Sequence, residues 1–210
     1  MPAAPLSAPQ AVTAPVAAGR PRASSREVLA EAACELFLEQ GYEATTIAEI
    51  TRRAGVSRSR IFNYFSSKGD LLWSSLDAQI VMLEAALRDD ETADATATLT
   101  RSIDALGHAL APDSLVLALA NATAMGIDDE LERESARRLL TIATAVSARL
   151  VRGGVDSLVA DVVGAAYGGA VIAALRMWAV DGAGRTALPA LLGRATGGIP
   201  ALLERPGRPV

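Results

Sequence analysis

The sequence predicts an all-α protein, and three observations predict it. Apolar residues make up 50% of the chain and aromatic residues only 4%. Alanine and leucine, both strong helix formers, fill most of the apolar share. Apolar positions recur three and four apart rather than alternating. The periodic runs open on hydroxyl or acidic residues and stop at glycine or proline, the punctuation of helices.

The elements follow in order. Residues 1 to 22 are rich in proline and alanine, carry no period, and read as a disordered arm ending in Arg20 and Arg22. Ser24 and Glu27 form a capping box that opens a first helix. Leu29, Ala32, Ala33, Leu36 and Phe37 lie on one face of it, and Gly41 stops it. Thr46 and Glu49 form a second box before a short helix with Ile47 and Ile50 inward, ending at Ala54 and Gly55. Ser57 caps a third short helix reaching about Asn63. A longer helix is expected from Lys68 to about Arg88, carrying Leu71, Leu72, Leu76, Ile80, Leu83 and Leu87 on its buried side. Further helices are expected over about 95–111, 113–124, 128–152, 156–180 and 186–203, separated by Pro112, Gly126, Gly153-Gly154 and the run from Asp181 to Gly184. The resulting organisation is an arm at 1–22, a three-helix domain at 23–67, a larger helical domain at 68–205 and a loose tail at 206–210.

Several classes lose support. One cysteine, Cys34, allows no internal disulfide and fits a cytoplasmic protein. The one histidine, His108, has no cysteine or histidine partner, so no metal site is expected. No nucleophile stands in a recognisable triad setting and no Gly-rich loop joins a strand to a helix, so the reading is not an enzyme and no cofactor is expected. The apolar stretch around 155–180 is interrupted by Asp156, Asp161 and Arg176, and no membrane span is expected from it. The net charge is −4. Its distribution matters more: residues 20–72 carry eight basic and seven acidic residues, so a near-neutral front joins an acidic back.

Residues 45–71 read TTIAEITRRAGVSRSRIFNYFSSKGDL. Two short helices are joined at Ala54-Gly55-Val56-Ser57, where glycine tolerates the positive φ of a sharp turn. Ser57 leaves the second helix with a free, capped N-terminus, as in a helix-turn-helix whose second helix enters the DNA major groove. Thr45, Thr46, Ile47, Ala48, Ala54, Gly55, Val56, Ser57, Phe62, Tyr64, Phe65 and Lys68 fall at the offsets of the TetR (tetracycline repressor) family signature, which the segment resembles over about residues 24–75. A looser likeness, carried by Phe62, Tyr64, Phe65, Ser67, Lys68, Asp70 and Leu71, is to the actinobacterial subgroup associated with mycofactocin clusters. Ser59 stands where the family usually has glycine, and Phe62 where it usually has tyrosine. Phe62 cannot donate a hydrogen bond to a phosphate, which leaves it apolar contact with a sugar or a thymine methyl.

The resemblance implies a homodimeric transcriptional regulator, a repressor that holds a palindromic operator in double-stranded DNA and is released by a small molecule. It places Arg58, Ser59 and Arg60 at the groove-facing helix tip, where either arginine could read guanine. It gives Tyr64 and Lys68 the phosphate backbone, with Thr45 or Thr46 across the groove, while Asn63 either contacts phosphate or caps the helix. Arg20 and Arg22 are either a solvated tail or an arm reaching a groove. The central helices would surround a ligand cavity lined by Trp73, Met82, Leu106, His108, Leu110, Leu117, Asn121, Met125 and Trp178. Few basic residues fall there, so an apolar or neutral ligand is expected. Small residues in the last long helices, Gly164, Ala165 and Gly168 among them, would lie at the dimer axis or pack inside one subunit. Two other classes stay open: an activator or architectural protein on the same DNA site, and a helical small-molecule carrier with a vestigial DNA domain.

Overall fold

The computed structural model describes residues 25–57, 65, 67–92, 94–183 and 185–203. The expected arm and tail, the Ser24 half of the first capping box, and Arg58, Ser59, Arg60, Phe62, Asn63 and Tyr64 lie outside them.

The described residues form helices α1 (Ser25–Gln40), α2 (Ile47–Ala54), α3 (Ser74–Asp89), α4 (Ala95–Ala109), α5 (Ser114–Ala120), α6 (Ala122–Met125), α7 (Asp128–Arg152), α8 (Ser157–Val180) and α9 (Leu188–Thr196). No strand occurs among them beyond one isolated bridge between Ala183 and Thr186. The fold is all-α, as the composition and period indicate.

Three expected helices are broken. The helix anticipated from Lys68 opens instead as a 3₁₀ turn, Asp70–Trp73, and becomes α-helical only at Ser74. All four residues of that turn are buried, and tertiary contacts rather than propensity set its geometry. The run at 113–124 breaks at Asn121, whose φ of −123° interrupts the ladder between α5 and α6. The last helix stops at Gly197, and Pro200 opens a second 3₁₀ turn, Pro200–Leu202.

One core runs from Leu29, Phe37 and Ile50 of α1 and α2 through Leu72, Leu76 and Leu99 to Val146, Val171 and Leu191. α8 is its spine, packing most heavily on α7 and also on α9 and α5. α8 is also long and apolar enough, by length and composition, to cross a membrane, despite Asp161 and Arg176. This corrects the expectation drawn from those charges. Half of the helix is buried in the protein core, the burial that an apolar helix needs.

The small residues of α8 pack inside the subunit. A Cβ on Gly168 would lie 2.5 Å from the Leu139 carbonyl oxygen, and one on Gly164 would collide with that of Ala143. Glycine at both positions lets the α7 and α8 backbones touch. Of the two alternatives, packing inside one subunit describes Gly164 and Gly168, which are buried against α7, while Ala165 is exposed on α8.

Candidate nucleic-acid interface and ligand sites

The module at the N-terminus is built by its caps. Thr46 sits in extended backbone before α2. Its hydroxyl accepts from the Glu49 amide at 3.3 Å, and the Glu49 carboxylate accepts from the Thr46 amide at 2.9 Å. At the other end Gly55 adopts φ 66°, and the Val56 amide reaches back to the Thr51 carbonyl at 3.0 Å. That left-handed turn reverses the chain and delivers Ser57 to the start of the segment expected to read DNA. Arg53, at the end of α2, grips α1 through both Glu39 oxygens, at 2.8 and 2.7 Å, and Glu35 at 3.2 Å. It is an intramodule clamp.

Of the two threonines, Thr46 is exposed at the helix start and Thr45 is buried. The Thr45 hydroxyl donates toward the carbonyls of Gly41 at 2.8 Å and Leu36 at 3.3 Å and accepts from Gln40 at 3.3 Å. Thr45 thus ties the end of α1 to the start of α2, and only Thr46 presents a side chain to solvent. Lys68 is half-buried. Its ammonium donates to the carbonyls of Tyr42 at 2.6 Å and Thr45 at 3.2 Å, and lies 4.1 Å from the centre of the Tyr42 ring. A phosphate would have to share this cation with two backbone oxygens and a ring face.

The module and the 3₁₀ turn that follows it are tied to the larger domain by contacts that sequence reasoning missed. The Tyr42 amide donates to the Met125 carbonyl at 2.8 Å. Glu130 of α7 accepts from Ser67 at 3.1 Å and pairs with Arg133; its side chain lies so close to Gly69 that a Cβ there would be 2.6 Å from it. Burial first, then the Glu130 charge, push the Tyr42 phenol well above its usual range. The third contact is an ion-pair network. Arg138, 2% exposed, donates to Asp70 at 2.7 Å, to both oxygens of Asp77 at 2.8 and 2.7 Å, and to Glu134. Arg137 adds a bond to Asp70 at 2.8 Å. The Arg138 guanidinium also lies 4.5 Å from the centre of the Trp73 ring, whose Nε1 has no hydrogen-bond partner. The 3₁₀ turn that follows the module is thereby fastened to α7.

The expected ligand residues are not gathered around one void. Trp73 lies under Arg138, and Leu106, Met125 and Trp178 are buried core. Met82 is 64% exposed on α3. His108 faces solvent, 3.6 Å from Asp104 one turn back. Asn121 gives its amide to the Leu117 carbonyl of its own helix at 2.8 Å, which satisfies the group expected to need a ligand.

A cleft of about 710 Å³ lies elsewhere, between α1 and the α3, α4–α5 loop and α5 wall. Leu110 and Leu117 are the only expected residues lining it. On the α1 side are Arg26, Glu27, Ala30, Glu31, Cys34 and Glu35. Facing them are Ser74, Ser75, Ala78 and Gln79 of α3, with the turn from Ala109 to Ser114 as the end wall. Asp113 caps α5 through the amides of Leu115 at 3.0 Å and Val116 at 3.3 Å and accepts from Ser75. Among the described residues no cluster of three or more His, Cys, Asp and Glu could hold a metal ion.

Residues 29–73 match the family model of bacterial regulatory proteins, tetR family. The chain is similar to the HTH-type transcriptional regulator HbdR of Aromatoleum sp. (strain CIB), 47% identical over 51 residues that cover 24% of this chain and 22% of that one. It is also similar to MftR of Mycobacterium tuberculosis, a transcriptional regulator named for mycofactocin biosynthesis, 29% identical over 69 residues that cover 33% and 35%. The chain spans about a third or less of the length of these relatives. Among solved structures, the FadR TetR-family repressor of Thermus thermophilus, in complex with lauroyl-CoA, superposes with a TM-score of 0.54 at 21% identity, covering 88% of this chain and 98% of that one. That likeness extends over the larger helical domain and shows the fold. With its signature residues matched, the N-terminal module at residues 29–73 is that of the tetR family of bacterial regulatory proteins.

Proposed function

We propose that this protein is a homodimeric, cytoplasmic transcriptional repressor that holds a palindromic operator through residues 45–68 and is released by a small molecule. The observation that carries the reading is the α1–α2 pair with its left-handed turn at Gly55. α2 and that turn are the first half of a helix-turn-helix, and the residues that follow, Arg58, Ser59 and Arg60, are the ones expected to enter a major groove. Thr46, exposed at the α2 N-terminus, adds a hydroxyl, shared with the Glu49 carboxylate at 2.8 Å, that a phosphate could engage.

A second copy of the chain is the partner that the α7–α8 face fits. Leu158, Val162, Met177 and Val180 are 72%, 54%, 48% and 75% exposed. With Ala165 and Ala173 they form a stripe along the length of α8. Leu140 and Val151, 64% and 45% exposed, continue it on α7. So large an apolar face on one helix pair invites self-association about a two-fold axis, and a two-fold dimer presents two reading segments to two half-sites.

The test is selection of bound duplexes from a random pool, followed by anisotropy titration of the selected palindrome and a scrambled duplex at several salt concentrations. Replacing whichever of Arg58 and Arg60 reads a base by alanine lowers specific affinity by about 1–3 kcal/mol and relaxes the preference at that position. Equal affinity for palindrome and scrambled DNA would refute the reading.

A further inference from the structure

The cleft between α1 and α3–α5 is not where the ligand cavity was expected, and its chemistry differs from the expected apolar or neutral lining. The geometry points to this cleft as the effector site, taking an organic cation with an apolar tail. Its 710 Å³ falls in the usual range for small-molecule sites. Four carboxylates, Glu27, Glu31, Glu35 and Asp113, line it against one guanidinium, Arg26. Glu35 shares Arg53 with Glu39, and Asp113 caps α5. The balance stays negative, because Arg53 answers two glutamates and Asp113 accepts from uncharged donors. The buried Cys34 thiol reports the same field from inside the wall. Burial first, then the charges of Asp113 and Glu35, push it up to about 11. Ala30, Ala78, Leu110 and Leu117 supply an apolar floor for a hydrocarbon tail. Concave walls of one sign of charge concentrate the opposite ion, and a carboxylate ligand would be repelled.

The position of the cleft gives the site its consequence. One wall is the first helix of the DNA-reading module and the other belongs to the helices that follow the 3₁₀ turn. An occupant touches both and sets their separation. The change in DNA affinity rests on the repressor reading above; the binding itself does not.

The experiment therefore omits DNA. Octyltrimethylammonium, octanol and octanoate share one tail and differ in charge. Each is titrated calorimetrically, below its micelle concentration, into the full-length protein and two variants. The cation binds at least tenfold more tightly than octanol, and octanoate shows no heat of binding. Glu31→Gln, an exposed position, weakens the cation about fivefold and leaves octanol unchanged, the size expected of one charge lost near water. Ala78→Trp, also exposed, fills the cleft and abolishes binding while its melting curve stays that of the wild type. Octanol binding as tightly as the cation, no binding by any of the three, or full affinity in Ala78→Trp would each overturn the assignment. A protein that binds the cation in this way but no palindromic DNA would keep the site and lose the repressor reading.

Discussion

Arg138 is the strongest test of how the 3₁₀ turn that follows the N-terminal module is held to α7. Arg138→Met keeps most of the side-chain volume over Trp73 and removes the charge. Asp70 and Glu134, 10% and 15% exposed, then lose a buried partner, while Asp77, 40% exposed, is rescued by water. Stranding buried charge costs about 3–5 kcal/mol. With Asp77 solvated and Arg137 still on Asp70, the lower end applies, about 3 kcal/mol. For a chain of this size each kcal/mol moves the melting temperature by about 2–4 °C, so a fall of about 6–12 °C is expected by calorimetry. Arg133→Ala serves as the control: that side chain is 70% exposed in its pair with Glu130, and exposed pairs contribute little. Adding Asp70→Asn and Glu134→Gln to Arg138→Met removes the stranded charges and restores part of the loss, a non-additivity characteristic of one network. A melting temperature for Arg138→Met within about 2 °C of wild type would refute the view that this network fastens the 3₁₀ turn to α7.

Gly168→Leu drives a side chain into the Leu139 carbonyl and lowers the melting temperature by an amount matching about 1–3 kcal/mol or more. Val162→Arg, on the outer face of α8, leaves the secondary structure intact and shifts the protein from dimer to monomer by analytical ultracentrifugation. Gly55→Val forces a β-branched residue to φ 66° and destabilises the module by about 1–2 kcal/mol, read as lost DNA affinity in titration. Asp90 is pulled well below the usual carboxylate range: burial opposes this, but bonds from Arg149 at 2.6 and 2.8 Å and from Thr92 outweigh it. A lowered folded-state pKa stabilises above the ordinary carboxylate range and loses that stability as pH falls through the folded value. The melting temperature gap between wild type and Asp90→Asn should therefore stay constant from pH 7 to 5 and narrow below about pH 4.

The caps and turns were legible because they are local. Thr46 and Glu49 stand three apart, Gly55 ends the run, and the structure places the helix and its stop there. What fastens the turn after the module to α7 was not legible. Glu134, Arg137 and Arg138 fall three and four apart on one helix and read as a solvated charged face. The partners that bury Arg138, Asp70 and Asp77, lie 68 and 61 residues away. Nothing local distinguishes an arginine aimed at such partners from one aimed at water. Lys68 shows a related limit: its place in the signature points to phosphate, and nothing local announces that its ammonium also meets two carbonyls. The glycines at 164 and 168 gave the right inference, close helix approach, without saying whose helix approaches. The cleft escaped because its walls are separated in sequence by about forty residues or more, and its small and acidic α1 residues look like an ordinary surface.

The bond from the Tyr42 amide to the Met125 carbonyl gives α1 a fulcrum. It sits just past the helix's C-terminal end, whereas the cleft runs along the N-terminal half, from Arg26 to Glu35. A helix of 16 residues is about 24 Å long. A wedge that moves its free end by about 2 Å swings the rod by about 5° around the pinned end. Because the pin joins main chain to main chain, most side-chain substitutions leave the pivot in place. Drift in the cleft could then alter what pushes the lever without altering where it turns.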